Sequence, residues 1–320
     1  MQYRKLGQTG LELSVIGFGA SPLGDVFCVT DPAEGVRAVH RATDCGINFF
    51  DVSPYYGRTL AEHRLGLALA DRRNGVILAT KCGRYGKEEF DFSTRRTIAE
   101  VEASLIRLKT DYVDLLQVHD VEFGDVDQIV TETLPTLRKL QEAGKARYIG
   151  ITGYSLQTLC SITAQVPVDS ILSYCHYNLM VRDMDAILTP LAKSKAIGLI
   201  NASPFHMGIL ASGEIPEWHP APPEIRAIGR RAREICNAHG LRLTEVALRF
   251  CLTHPYVTTT LVGMYSEEQV DQNLIAVEPA DNEAVIEEIT MMIGNQLNYI
   301  WSSGKDTLTS DVGRRLPLVV

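Results

Sequence analysis

The chain has 320 residues, 45% of them hydrophobic and 22% charged, with a formal net charge of -8. This is enough for a sizeable core in one large domain or two small ones, and the acidic balance argues against nucleic acid or anionic membrane as a partner. Seven cysteines, an odd number without paired CxxC spacing, point to free thiols in a reducing compartment, expected to be the cytoplasm, and not to a disulfide framework or a metal site.

Tyr3 to Leu6 and Leu13 to Ile16 flank the turn Gly7-Gln8-Thr9-Gly10, which predicts an N-terminal β-hairpin. Short apolar runs follow, at Val15 to Phe18, Ile47 to Asp51, Gly75 to Thr80, Tyr112 to Val118, Arg147 to Ile151, Ser170 to Tyr174, Ile197 to Asn201 and Thr258 to Val262. Between them, apolar residues recur at helical spacing. Ile98, Val101, Leu105 and Leu108 follow the cap candidate Ser93, and Val130, Leu134, Leu137 and Leu140 precede Gly144. Apolar strands joined by helical crossovers pair in parallel with both faces covered. About eight such units over this length predict a (β/α)8 barrel.

An open doubly wound sheet would want a Gly-x-Gly-x-x-Gly turn, but Pro22 stands where the third glycine belongs in Gly17-Phe18-Gly19-Ala20-Ser21-Pro22. With no linker or repeat to divide the chain, a single domain is the simplest organisation. Ser203 to Pro223, rich in Gly and Pro, is expected to be a functional loop, and the polar end from Ser302 a loosely held tail. No apolar run approaches the roughly 20 residues of a membrane span.

In such a barrel, chemistry gathers where strands end. Asp51, Tyr56, Lys81 and His119 each stand at or just beyond a predicted strand end. A phenol is a poor base at neutral pH unless a cation favours its phenolate. Lys81 can supply that cation, Asp51 can hold the ammonium, and His119 can hydrogen-bond a substrate oxygen. The set fits proton transfer at an oxygen that interconverts between alcohol and carbonyl.

This spacing of Asp, Tyr, Lys and His resembles the aldo-keto reductase family. Further likeness runs through Gly17-Phe18-Gly19, Gly144-Lys145 to Gly150-Ile151, Tyr177-Asn178, Ser203-Pro204 with Gly208, and Val262-Gly263 through Asn273. The resemblance implies a barrel with a nicotinamide cofactor extended across the strand ends, hydride passing to or from its ring while the tyrosine handles the proton. Asp51-Val52-Ser53-Pro54-Tyr55-Tyr56-Gly57 and Ala79-Thr80-Lys81-Cys82-Gly83-Arg84-Tyr85 are most similar to the plant-type L-galactose dehydrogenases. Members of that branch oxidise the anomeric carbon of an aldose, such as L-galactose or the related L-fucose, to a lactone with NAD.

By the same resemblance the cofactor is expected against Gly19, Ala20, Ser21, Thr152, Tyr174, Ser203, Pro204, Phe205, Met207, Gly208, Gly263, Ser266, Gln269 and Asn273. The chain departs from the family pattern at Thr152-Gly153, Tyr174 and Ala202, where many members have Ser-Asn, Gln and a ring-stacking Tyr. NADP-binding relatives carry cations around the position of Ser266. Here the stretch reads Gly263-Met264-Tyr265-Ser266-Glu267-Glu268-Gln269, and its two carboxylates would repel a 2′-phosphate. NAD is therefore the expected cofactor. Substrate contacts are expected from Tyr55, Tyr85, Phe123, Trp218 and His219, with Trp218 the leading candidate to pack on a sugar face. Two other readings are an NADPH-dependent aldehyde or ketone reductase and a cofactor-sensing binding subunit without turnover.

Overall fold

The computed structural model of the protein describes residues 1–213, 215 and 219–305. Tyr3–Lys5 (β1) and Glu12–Ser14 (β2) form the antiparallel hairpin, Tyr3 opposite Ser14. A Cβ on Gly7 would stand 2.5 Å from Gly198 N, so only glycine lets the turn sit this close to the barrel.

Eight parallel strands close the barrel: Ile16–Gly19 (β3), Phe49–Asp51 (β4), Ile77–Cys82 (β5), Val113–Val118 (β6), Ala146–Gly153 (β7), Ser170–Tyr174 (β8), Gly198–Ala202 (β9) and Thr259–Gly263 (β10). They run in chain order round the ring, and β10 pairs with both β9 and β3. Leu6, Leu11 and Leu13 of the hairpin region pack with Phe49, Ala79, Leu115, Leu172, Ile200 and Leu261 of the strands. The hairpin thus plugs one end of the barrel and leaves the C-terminal strand ends as its mouth.

Helices cover the outer face, and a larger apolar cluster fills the layer between them and the strands. In Thr94–Leu108, Ser93 Oγ accepts from the Arg96 N–H at 3.3 Å, while Val101, Leu105 and Leu108 are buried. The predicted helix before Gly144 is interrupted. Residues Ile129–Thr133 wind as a π turn ahead of Leu134–Glu142, next to Pro135, which has no N–H to give the ladder. Among the described residues, no helix is long and apolar enough to cross a membrane.

Several strands are displaced by one or two residues from the apolar runs. β5 begins at Ile77 and continues through Cys82, which puts Lys81 inside the strand and not beyond it. The opening residues of the predicted loose tail are in fact anchored. Ser303 Oγ donates to Glu122 Oε1 at 3.3 Å and Lys305 N–H to the Glu122 carbonyl at 3.0 Å, just after Trp301, whose N–H donates to Tyr154 Oη at 3.1 Å. The rest of that tail lies outside the described residues.

Candidate active site

Strand register assembles the centre of the mouth. Asp51 ends β4, and Lys81 of β5 stands opposite Gln117 of β6. The Lys81 ammonium is bonded to Asp51 Oδ1 and donates to the Val52 carbonyl at 2.9 Å. Gln117 Nε2 donates to Asp51 Oδ2, also at 2.9 Å. All three side chains are buried, and a buried ion pair needs this kind of full hydrogen bonding to be tolerated. Burial by itself pushes Lys81 down, but Asp51 and Tyr56 outweigh it and hold the ammonium above its ordinary range. Gln117 had no signal in the sequence beyond its place in an apolar strand.

Tyr56 comes from the loop after β4. Gly57 has φ +61°, and a Cβ there would lie 2.0 Å from Gly24 O, so the turn that presents Tyr56 depends on glycine. Lys81 Nζ stands 5.1 Å from the phenol ring centroid. Lys81 does draw the phenol's pKa down, as expected, but burial wins and pushes it up to about 12, with Asp51 and Asp120 adding to the rise. The phenol of the protein alone is therefore protonated at neutral pH.

His119 follows β6, with its backbone N–H donating to the Cys82 carbonyl at 2.8 Å. Its ring meets the Tyr56 ring edge-on, centroids 5.7 Å apart at 84°. Nδ1 lies 2.9 Å from Ser53 Oγ and Nε2 3.6 Å from Asp120 Oδ2. Burial pushes the imidazole down to about 3; Asp120 opposes this, while Lys81 and Arg84 add to it. His119 is therefore neutral at neutral pH.

The four strand-end residues are thus brought together. Around them lies a shell in which Tyr55, Phe123 and His219 are expected from the sequence and Arg84, Asp120, Phe90, Glu122, Tyr154 and Trp301 are not. Arg84 pairs with Asp120 and lies 3.9 Å over the Tyr55 ring, with Phe90 and Phe123 stacked beside it at 4.6 Å. Glu122 is buried, its Oε1 accepting from the Tyr154 N–H at 3.0 Å and from Ser303 Oγ at 3.3 Å. Its Oε2 has no partner among the described residues. Burial and the nearby Asp120 push the carboxyl up to about 8. Trp301 stacks on Tyr154 and meets His206 and His219 edge-on.

The predicted substrate contacts divide. Tyr55 and Phe123 flank Arg84 beside the centre. Tyr85 packs instead against Arg96 of the helix Thr94–Leu108, and its hydroxyl accepts from the Gly83 N–H at 3.1 Å. His219 anchors its own loop, with Nε2 3.1 Å from the His206 carbonyl and Nδ1 accepting from the Ala221 N–H at 3.0 Å. Trp218 lies outside the described residues. Cys82 and Cys175, adjacent to the site in sequence, are buried thiols pushed up to about 12 by that burial, as expected of inert core cysteines.

The residues expected at the cofactor form one arc of neighbouring strand ends, from Thr152 on β7 through Tyr174 on β8, the loop after β9, and β10 to Gly19 on β3. Gly263 pairs with Gly19, and Ala20 N–H donates to the Asp51 carbonyl at 2.9 Å. Ser21 opens the short turn Ser21–Gly24. A Cβ on Gly263 would press on Pro22 at 3.1 Å, and one on Gly19 would meet Val262 O at the same distance. After β9, Ser203, His206, Met207 and Gly208 all have positive φ, a concentration of constrained backbone typical of ligand clamps. Pro204 and Phe205 complete that loop. Ser266 Oγ caps the helix Glu267–Leu274 by accepting from the Gln269 N–H at 3.2 Å, and Asn273 lies in its last turn. Tyr174 turns toward Tyr154 and donates to Glu122 Oε1 at 3.4 Å. Glycines that bring backbone to the surface, a helix N-terminus and the unpartnered buried Glu122 Oε2 suit an elongated, polar ligand such as a dinucleotide. The fold also brings Arg37 to this corner, 3.4 Å from Glu267, a cation that the sequence of the loop alone does not contain.

The profile of the Aldo/keto reductase family matches residues 15–293. The chain is 45% identical over 315 residues to L-galactose dehydrogenase of Arabidopsis thaliana, covering 95% of this chain and 98% of that protein. It is 28% identical to D-threo-aldose 1-dehydrogenase of a Pseudomonas species, covering 82% and 89% of the two chains. Among solved structures, the holo form of an aldo-keto reductase from Bacillus halodurans is similar, with a TM-score of 0.78, 28% identity, and 96% and 99% of the two chains covered. A closed parallel barrel with Asp51, Tyr56, Lys81 and His119 gathered at its mouth agrees with these matches, and the chain belongs to the aldo/keto reductase family.

Proposed function

We propose that the protein is an NAD-dependent aldose 1-dehydrogenase that oxidises the anomeric carbon of L-galactose, or of a related sugar such as L-fucose, to the lactone. The observation that carries this reading is the Tyr56 phenol above a buried Asp51–Lys81 pair and edge-on to a neutral His119. When bound, NAD accepts the hydride and brings a positive charge that favours the Tyr56 phenolate. Tyr56, having released its own proton to solvent and held as the phenolate by Lys81, then takes the proton of the C1 hydroxyl, while Asp51 and Gln117 hold Lys81 and His119 orients the hydroxyl oxygen. The choice of sugar is supported by the 45% identity to an L-galactose dehydrogenase.

NAD is favoured over NADP by Glu267 and Glu268, the first of which also neutralises Arg37. A second reading, reduction of an aldehyde or ketone with NADPH, has one observation in its favour: the phenol, pushed up to about 12, is ready to donate. Initial rates with L-galactose, L-fucose, D-arabinose and simple aldehydes, in both directions and with both cofactors, separate the two. Tyr56→Phe should lose turnover while still binding NAD; near-wild-type kcat in that variant rules out the mechanism. Cofactor binding without turnover on any aldose or aldehyde would instead favour a binding subunit.

A further inference from the structure

The role of His119 depends on which ring nitrogen carries the proton, and its surroundings answer that. We propose that Ser53 is a positioning residue that holds neutral His119 in its Nε2–H tautomer, so that the imidazole donates to the reacting oxygen and cannot accept from it. The inference rests on the reading of His119 as the partner of that oxygen.

Two independent contacts carry it. Ser53 Oγ accepts from the Tyr55 N–H at 3.1 Å and lies 2.9 Å from His119 Nδ1. Among the described residues, Nδ1 is the acceptor for the hydroxyl's own proton. Were Nδ1 protonated, the hydroxyl of a fully buried serine would be left with a proton and no acceptor, which native interiors avoid. On the other side of the ring, Nε2 faces Asp120 Oδ2 at 3.6 Å. A bare Nε2 would set its lone pair toward a carboxylate, whereas Nε2–H points a positive edge at it. Asp120 is itself held by Arg84, so this partner is fixed in place. Both contacts select the same tautomer, and the hydrogen bond made by one nitrogen decides the state of the other. Burial keeps the ring uncharged by pushing it down to about 3, so a tautomer, not an imidazolium, is what Ser53 controls.

The consequence is a division of labour. Tyr56 is the group that exchanges a proton with the reacting hydroxyl, and His119 contributes one directed donor to the same oxygen. With Nδ1 protonated, the two side chains would compete for one hydroxyl proton and the oxygen would lose its donor.

The test is nitrogen NMR on the full-length protein labelled in its histidines, with His119 assigned by the signal missing from His119→Gln. The wild type should show a pyridine-like Nδ1 and a pyrrole-like Nε2. Ser53→Ala should shift both signals toward a mixture and lower kcat by about tenfold, with KM for the cofactor unchanged; Ser53→Thr, which keeps the hydroxyl, should restore shifts and rate together. A pyrrole-like Nδ1 in the wild type overturns the proposal. So does a Ser53→Ala protein with unaltered shifts, or one with altered shifts and wild-type kcat. Because the wild-type spectrum needs no turnover, a failed dehydrogenase assay would reject the functional reading without touching the tautomer assignment.

Discussion

Replacing Lys81 with methionine separates the structural and chemical work of the buried ion pair. The ammonium stands 5.1 Å from the Tyr56 ring centroid. At an effective dielectric of about 20, a unit charge roughly 5 Å away is worth about 3 kcal/mol, or about a hundredfold in an ionisation equilibrium. The Tyr56 phenol, already pushed up to about 12 by burial, has Lys81 as the largest influence drawing it down. Lys81→Met should therefore lower kcat for oxidation by about a hundredfold near neutral pH, with part of the loss recovered as pH rises. The same change leaves Asp51 with Gln117 as its remaining side-chain partner, and breaking a buried pair this way costs about 3–5 kcal/mol of stability. The assay is steady-state NADH formation against pH, beside thermal melts and NAD titration by protein fluorescence. Adding Asp51→Asn removes the stranded charge, so the double variant should regain most of the stability but not the turnover. A folded Lys81→Met enzyme with kcat within about threefold of wild type, or a double variant that regains activity, would refute the electrostatic argument.

Glu122 gives a prediction of the opposite pH sign to an ordinary carboxylate pair. Its pKa is raised from 4.5 to about 8 in the fold, so across that interval the unfolded chain releases a proton that the folded protein keeps, and stability falls as pH rises. Glu122→Gln should remove this dependence: its melting temperature should gain on wild type between about pH 5 and 8 and then level off, by an amount equivalent to about 1–3 kcal/mol. A constant difference across pH would show that Glu122 does not hold its proton. At the adenosine end of the proposed cofactor site, Glu267→Ala frees Arg37 and should reduce the preference for NAD over NADP by about threefold to tenfold, a modest effect because both side chains are solvent-exposed. An unchanged ratio of kcat/KM values would mean that this corner does not read the 2′ position.

The barrel was legible because its signal is local. Apolar β-branched runs and helical spacing repeat along the chain, and the differences fall at strand ends, as with Lys81, which lies inside β5, and in the helix before Gly144, where Ile129–Thr133 wind as a π turn. The four central side chains were legible because each stands near a strand end, where the fold gathers polar groups. Their supports were not. Ser53 and His119 are separated by 66 residues, Asp51 and Gln117 likewise by 66, and Trp301 reaches Tyr154 across 147. No periodicity reports such pairings. For Tyr85 and His219 the sequence leaves two roles open for a related reason: aromatic and polar residues on loops near a mouth can meet a ligand or anchor the loops, and here the hydroxyl of one and both ring nitrogens of the other are bonded to backbone. The sign of the Tyr56 perturbation also escaped sequence reasoning, which can name a neighbouring cation but cannot weigh it against burial.

The central claim is tested most directly by wild-type initial rates with L-galactose and NAD, with the product identified as the lactone. The account predicts turnover to the lactone, a higher kcat/KM with NAD than with NADP, and an oxidation rate that rises with pH as the Tyr56 proton is released more readily. Turnover confined to aldehyde reduction with NADPH, or an absence of turnover on every aldose despite tight NAD binding, would contradict it.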